Sequence, residues 1–231
     1  FFLMAQWNNV QKWCVHFGDD ENADLKELQA ILWREGIRGT PSPLHLASAG
    51  SNISIINLLI KNRAIINSKD RIGSTPLHWA CANGNIPVIK VLIENKADVT
   101  FCDKDGNTPL HYAVEKGHLE TVQYLIEEHN VDFECKNKKQ QTPLAIAIEE
   151  EEKLIIRYLI GKGSSFSDIL FTHMKNDNIR VVKNLLKSTK ISQESFQHDE
   201  NIHLFHKTIM KDQIHLGKLL LKHAPWLSKC E

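Results

Sequence analysis

The chain contains the hexapeptide Thr75-Pro76-Leu77-His78-Trp79-Ala80 and repeats it as Thr108-Pro109-Leu110-His111-Tyr112-Ala113. After each copy comes a glycine, Gly84 or Gly117, and then an apolar stretch with helical spacing. The offset from Thr75 to Thr108 equals the offset from Gly84 to Gly117. Self-similarity at a fixed period of this size is the mark of proteins built from stacked supersecondary units. The sequence therefore predicts a repeat protein.

The residue types of this unit predict a pair of helices. Threonine is a favourable N-cap and proline fits the first helical position, so we expect one helix to begin after Thr108. Gly117 should end that helix with a positive φ. The apolar positions in residues 119–126 continue at helical spacing, on a second helix that is too short to be stable unless it packs against the first. Asp103-Lys104-Asp105-Gly106 supplies turn chemistry before the next cap.

Two further copies keep the register. One is Ser42-Pro43-Leu44-His45-Leu46-Ala47, which precedes Thr75 by the same interval that separates Thr75 from Thr108. The other is Thr142-Pro143-Leu144-Ala145-Ile146-Ala147, which follows Thr108 by that interval plus an extra residue near Glu127–Asn130. In this last copy an alanine replaces the histidine, and Glu149 to Glu152 replace the glycine turn. Either a non-glycine residue adopts the turn conformation, or the two helices fuse.

These motifs resemble the ankyrin repeat, whose consensus includes Thr-Pro-Leu-His-x-Ala, a Gly-His-Leu turn and an Ala-Asp-Val-Asn approach to the hairpin. The chain carries Gly117-His118-Leu119 and Ala97-Asp98-Val99. The resemblance implies an all-α solenoid of about six or seven helix-turn-helix units joined by β-hairpin-like loops. We expect a diverged N-terminal capping repeat in residues 1–36, four repeats in 37–166, and degenerate repeats with a cap in 167–231.

Composition argues against several function classes. The 28 basic and 28 acidic residues of the 231 cancel, which does not favour a nucleic-acid or anionic-membrane binder. No apolar run approaches the length of a membrane-spanning helix. The residues Phe1-Phe2-Leu3-Met4 lack the charged leader and the small-residue cleavage site of a signal peptide. The five cysteines are odd in number and form no Cys-x-x-Cys pair. We expect a monomeric cytoplasmic protein with reduced thiols.

The best catalytic candidates are His45, His78 and His111, but they recur at one position of every unit. The resemblance implies that they hydrogen-bond backbone or threonine hydroxyl groups, as a neutral imidazole can. We interpret Trp79 and Tyr112 as packing residues in the groove between helices. No phosphate loop, zinc helix, nucleophile elbow or kinase signature is present, so we predict no catalytic residues and no cofactor.

Two weaker metal hypotheses remain from the sequence. His203 and His206 lie at positions i and i+3 in a histidine-rich C-terminal stretch and could share a metal, although no carboxylate or cysteine stands at fixed spacing. Solvated or capping histidines are the plainer interpretation. The run Glu149–Glu152 could bind a cation, but such runs are more often a solvated helix face.

The resemblance implies a partner-binding surface on the hairpin tips and on the exposed ends of the first helices. The hairpin positions in this chain are Arg38, Arg71, Ile72, Ser74, Lys104, Asp105, Asn107, Lys138, Lys139 and Gln141. The helix positions are Ala82, Asn83, Glu115, Lys116, Glu149 and Glu150. The hairpins are largely basic, which predicts a protein partner with an acidic segment. The alternative is ordinary solvated charge.

The expected function is a non-catalytic protein–protein interaction module. The rival hypothesis is that this segment is the targeting domain of a larger enzyme, or of an effector secreted into a host cytosol, whose activity lies outside these residues.

Overall fold

The computed structural model describes residues 41–50 and 53–164. The expectations for residues 1–36 and 167–231, for Arg38 and for the C-terminal histidines lie outside this range. The described helices are α1 Pro43–Ala49, α2 Ile53–Lys61, α3 Pro76–Ala82, α4 Ile86–Glu94, α5 Pro109–Glu115, α6 Leu119–His129, α7 Pro143–Glu149 and α8 Lys153–Gly161. They form four consecutive pairs, and the described residues contain no strand, so the prediction of an all-α repeat is confirmed.

The chain divides into two compact units. The first is Phe1–Gln140 and contains α1 to α6; the second is Gln141–Glu231 and contains α7 and α8. In the first unit, the first helices α1, α3 and α5 pack in series, while α2 packs against α4. In the second unit, α7 packs against α8. None of the helices in the described ranges is long and apolar enough to cross a membrane.

Each first helix begins where the sequence predicts. α5 starts at Pro109 with Thr108 as its N-cap, and α3 starts at Pro76 after Thr75. Each cap is reciprocal: the threonine side chain accepts from the backbone N–H of the histidine at the third helical position, and that histidine accepts from the threonine N–H. At Thr142, where no histidine follows, the hydroxyl accepts from the N–H of Ala145 at 3.2 Å.

The core consists of the inward faces of the helix pairs. Leu77 of α3, Leu110 of α5 and Leu125 of α6 are fully buried, and so are Val88 and Ile89 of α4. Burying a side chain of this size contributes about 1.5–3 kcal/mol. Because the helices are short, this packing rather than helix propensity holds the pairs together.

The turn between the two helices of a pair requires a left-handed residue. Gly84 and Gly117 occupy it with φ of 66° and 75°, which confirms the positive φ predicted for Gly117. In the fourth pair Glu151 stands at this position with φ 61°. Helix α7 ends at Glu149 and α8 begins at Lys153, so the helices do not fuse. Of the two alternatives, the non-glycine turn is correct.

A second left-handed residue follows each second helix. These residues are Arg63, Lys96, Asn130 and Gly163, with φ of 62°, 72°, 48° and 103°. The extra residue predicted near Glu127–Asn130 lies at the end of α6, which is longer than α4. The insertion therefore lengthens a helix and leaves the terminating conformation unchanged.

Candidate functional site

Three loop segments between helix pairs form the hairpins, which we call fingers: residues 69–74, 102–107 and 136–140. All three belong to the first compact unit. Within the first finger, the N–H of Asp70 donates to the carbonyl of Ser74 at 3.0 Å. Between the first and second fingers, the N–H of Lys104 donates to the carbonyl of Ile72 at 2.9 Å.

The same alternation continues into the third finger. The N–H of Asp103 donates to the carbonyl of Asn107 at 3.0 Å, within the second finger. The N–H of Lys138 then donates to the carbonyl of Asp105 at 2.8 Å, between the second and third fingers. Hydrogen bonds within and between fingers alternate, so the three fingers form one backbone ladder.

An inward-facing aspartate shapes each of the first two fingers. In the second finger, Asp103 Oδ1 accepts from the backbone N–H groups of Asp105 and Asn107, both at 2.8 Å. Its Oδ2 accepts from the hydroxyl of Tyr112 on α5 at 2.7 Å. A carboxylate that accepts from the loop and from the helix fixes one against the other.

The first finger repeats this arrangement. Asp70 Oδ1 accepts from the N–H groups of Ile72 and Ser74 at 3.0 and 2.9 Å, and Oδ2 accepts from Trp79 Nε1 at 3.0 Å. In the third finger, Asn137 Oδ1 accepts from the N–H of Lys139 at 3.0 Å. Asp70, Asp103 and Asn137 were not among the expected site residues. Their recurrence at the repeat interval, each at the same place before its cap threonine, is the signal that could have found them.

The cap histidines connect each first helix to the next finger. His45 Nε2 lies 2.9 Å from the carbonyl of Ser74, and His78 Nε2 lies 3.1 Å from that of Asn107. At the other nitrogen, His78 Nδ1 lies 3.0 Å from the backbone N–H of Thr75. A carbonyl can only accept and an N–H can only donate, so the geometry requires a neutral imidazole with its proton on Nε2.

Burial lowers the pKa of His45 and lowers that of His78 to about 4, because desolvation disfavours the charged ring. The backbone acceptors oppose this effect only in part. His111 repeats the cap contact, with Nδ1 3.1 Å from the N–H of Thr108. These contacts tie the three rings to the caps and the fingers, and all three histidines are buried.

The residues expected to bind a partner do not all lie on the surface. Arg71, Lys104 and Lys138 occupy equivalent positions at the three finger tips, and all are exposed. The next position holds Ile72, Asp105 and Lys139, which are exposed as well, Ile72 to 51%.

Ser74 and Asn107, which were also expected on the partner-binding surface, are less exposed than these residues. Ser74 is only 1% exposed, because its backbone is paired with Asp70 and His45 inside the ladder. Asn107 is half-buried, and its side-chain oxygen accepts from Asn137 Nδ2 at 2.9 Å. Burial therefore removes Ser74 from the candidate surface, whereas Asn107 keeps part of its surface exposed.

The expected helix positions lie at the C-terminal ends of first helices. In the first unit, Ala82 is half-buried and Asn83 exposed, while Glu115 and Lys116 are exposed and form an ion pair at 2.8 Å.

In the second unit, Gln141 is half-buried, and its Nε2 donates to the two carboxylate oxygens of Glu149 at 2.9 and 2.7 Å. Glu150 is exposed. The described ranges contain no group of three side chains that could hold a metal ion, and Glu149 is engaged by an amide.

The exposed charge of the fingers is strongly positive. The exposed cations on them are Lys69, Arg71, Lys104, Lys136, Lys138 and Lys139. Asp105 is the exposed acidic residue among the described finger positions, because Asp70 and Asp103 face inward to their loops. Lys69 and Lys136 were not among the residues expected from the sequence, although they flank the same tips.

A family model described as "Ankyrin repeats (3 copies)" matches residues 3–101 and 84–169, more than half of the chain. The first match includes residues 3–36, for which the sequence predicts a diverged repeat. No curated protein matches the chain. The family match, the four helix pairs and the histidine caps agree, and the chain belongs to the ankyrin repeat family.

Proposed function

We propose that this chain is a non-catalytic interaction module that binds an acidic segment of a partner protein against the finger tips. Ankyrin repeats are generally protein–protein interaction modules without catalytic activity. The observation that carries the acidic preference is the column of exposed cations at equivalent positions, Arg71, Lys104 and Lys138.

The backbone beneath these cations supports a binding role. Ile72 and Lys104 are joined by a hydrogen bond between fingers, as are Asp105 and Lys138. Asp103 fixes the second finger further through the N–H groups from which it accepts. A loop held in one conformation loses little freedom when a partner binds, so more of the interaction energy appears as affinity.

Capture from a cytosolic extract tests this proposal. The bait is the full chain, compared with a finger variant that carries Arg71→Glu, Lys104→Glu and Lys138→Glu. The matched control carries Lys61→Glu, Arg63→Glu and Lys90→Glu, three exposed cations on or just after second helices. Both variants change the net charge by the same amount.

We expect the wild type and the control to capture a protein with an acidic segment. The finger variant should not capture it. Circular dichroism of all three baits verifies that the helices persist. If the finger variant captures the same proteins in the same amounts as the wild type, the fingers are solvated surface and the proposal fails.

A further inference from the structure

We propose that the partner segment crosses the fingers in a polyproline II conformation, with an acidic side chain at every third residue. This inference rests on the proposed function and specifies the register of the segment that the fingers select. It follows from the backbone spacing of the residues that carry the cations, which the ladder of hydrogen bonds sets.

The ladder determines the distance between equivalent residues of neighbouring fingers. Each finger contributes two passes of the chain, one before its tip and one after. The bonds Asp70–Ser74 and Lys104–Ile72 connect three successive passes by direct backbone pairing at 3.0 and 2.9 Å. Backbone segments joined by such hydrogen bonds lie about 4.8 Å apart, so residues two passes apart are separated by about 10 Å.

The tip cations therefore form a column with a period of about 10 Å. Arg71, Lys104 and Lys138 hold the same position in each finger, and each is exposed. At physiological ionic strength, screening acts over about 8 Å. The attraction is strongest for a carboxylate in contact with a cation, and a carboxylate midway between two cations, about 5 Å to the side of each, is attracted less by either.

This period discriminates between conformations of an extended partner. In a β-strand the side chains on one face recur every two residues, about 6.6 Å apart, which does not match the column. In polyproline II three residues complete a turn with a rise of about 3.1 Å each, so one face repeats at about 9 Å. Acidic residues at positions i, i+3 and i+6 of such a segment would meet the three tips in register.

The neighbouring column adds a second element of selection. It contains Ile72, Asp105 and Lys139, so it is apolar at the first finger, acidic at the second and basic at the third. Ile72 is 51% exposed and offers a contact for an apolar side chain at that end of the segment. Asp105 opposes the middle carboxylate of the partner, which makes it a negative determinant that can be tested by itself.

Fluorescence anisotropy with labelled synthetic peptides and the full chain tests the register. The first peptide carries glutamates at positions 1, 4 and 7, with prolines and alanines between them and a leucine at one end. The second and third have the same composition with glutamates at positions 1, 3 and 5 or at 1, 2 and 3. We expect the first peptide to bind about fivefold more tightly, the effect of one or two exposed ion pairs.

Three variants assign the effect to the fingers. The variant Arg71→Gln, Lys104→Gln, Lys138→Gln should bind all three peptides equally weakly, while Lys61→Gln, Arg63→Gln, Lys90→Gln should keep the wild-type order. The variant Asp105→Asn should raise the affinity for the first peptide by about two- to fivefold.

Equal affinity of the three peptides for the wild type would overturn the register. If the finger variant then bound all three peptides more weakly than the wild type does, the binding of acidic segments by the fingers would stand. If the finger variant bound them as the wild type does, the proposed function would fail as well. Tighter binding of a single-stranded oligothymidine than of the first peptide would also overturn the inference, since the fingers would then select phosphate.

Discussion

His78 shows how a single residue makes the fold sensitive to pH. Its neutral ring accepts from Thr75 and donates to Asn107, and its pKa in the folded protein is about 4 against an ordinary value of 6.5. Well above pH 6.5 the ring is neutral in both states and pH has no effect through it. As the pH falls from 6.5 to about 4, the unfolded ring takes up a proton that the folded ring refuses, so the folded state loses stability.

We therefore expect the free energy of unfolding to fall by up to about 3 kcal/mol through His78 between pH 6.5 and 4. His45 adds a loss of the same sign. Urea titrations at pH 7.5, 6, 5 and 4 measure the change, and His78→Gln should have a flatter profile. A wild-type stability that stays constant or rises on acidification would show that the buried rings are not held neutral.

Thr121 is a residue whose replacement should stabilise the protein. Its hydroxyl is buried and finds no hydrogen-bond partner among the described residues, while the equivalent positions of the other pairs hold Ile55, Val88 and Ile155. Thr121→Val removes the unsatisfied oxygen and keeps the shape, so it should raise the free energy of unfolding by about 1 kcal/mol. Chemical denaturation measures this change. Thr121→Ser keeps the hydroxyl and should not stabilise; a destabilised valine variant would mean that the hydroxyl is satisfied.

At the scale of the element, the turn at Gly84 is tied to the next helix pair. His118 precedes α6, and its Nε2 donates to the carbonyl of Ala82 at 3.0 Å. A Cβ at Gly84 would lie 2.6 Å from Nδ1 of that imidazole. The glycine is therefore required twice, by its φ of 66° and by the ring of the following pair.

Gly84→Ala should destabilise the protein by about 2 kcal/mol, because it combines left-handed strain with this contact. In a His118→Ala background the same change should cost about 1 kcal/mol, since only the strain remains. Thermal or urea denaturation of the four proteins in this cycle gives the coupling. If the effects of the two substitutions on stability were additive, the His118 ring would not be in contact with position 84.

For the turn between α7 and α8 we predict the opposite effect, a gain of stability when a glycine is introduced. Glu151 adopts φ 61° at the position of the turn glycines. Glu151→Gly should raise the free energy of unfolding of the cooperative unit by about 0.5 kcal/mol, the relief of left-handed strain less the extra entropy of an unfolded glycine. Glu150→Gly is the matched control, because Glu150 is right-handed with φ −82° and should lose stability. Loss of stability in both variants would contradict this account of the turn.

How much of this could be predicted from the sequence depends on the distance over which each element is determined. The helix starts at Pro76 and Pro109 were predictable, since a cap involves residues close together in the chain. The finger ladder was not, because Lys104 and Ile72 meet only after two helix pairs have stacked. The conformation of Glu151 also stayed open, since it reflects a balance between local strain and the packing of two helices.

Over the whole molecule, the distribution of charge matters more than its sum. The 28 cations and 28 anions cancel, which gave no hint of a charged surface from composition. The structure gathers exposed cations on the fingers and turns Asp70 and Asp103 inward as loop supports. By analogy with other repeats, the sequence could indicate which positions face outward. It wrongly placed Ser74 among them, because the ladder buries that residue.

The rate at which a captured partner associates with the chain, measured by stopped-flow mixing at low and physiological salt, tests docking on the fingers most directly. Electrostatic attraction raises association rates and makes them sensitive to salt. The account predicts that Arg71→Glu, Lys104→Glu, Lys138→Glu slows association and weakens its salt dependence, while Lys61→Glu, Arg63→Glu, Lys90→Glu leaves both near the wild-type values. Unchanged rates and salt dependence in the finger variant would contradict it.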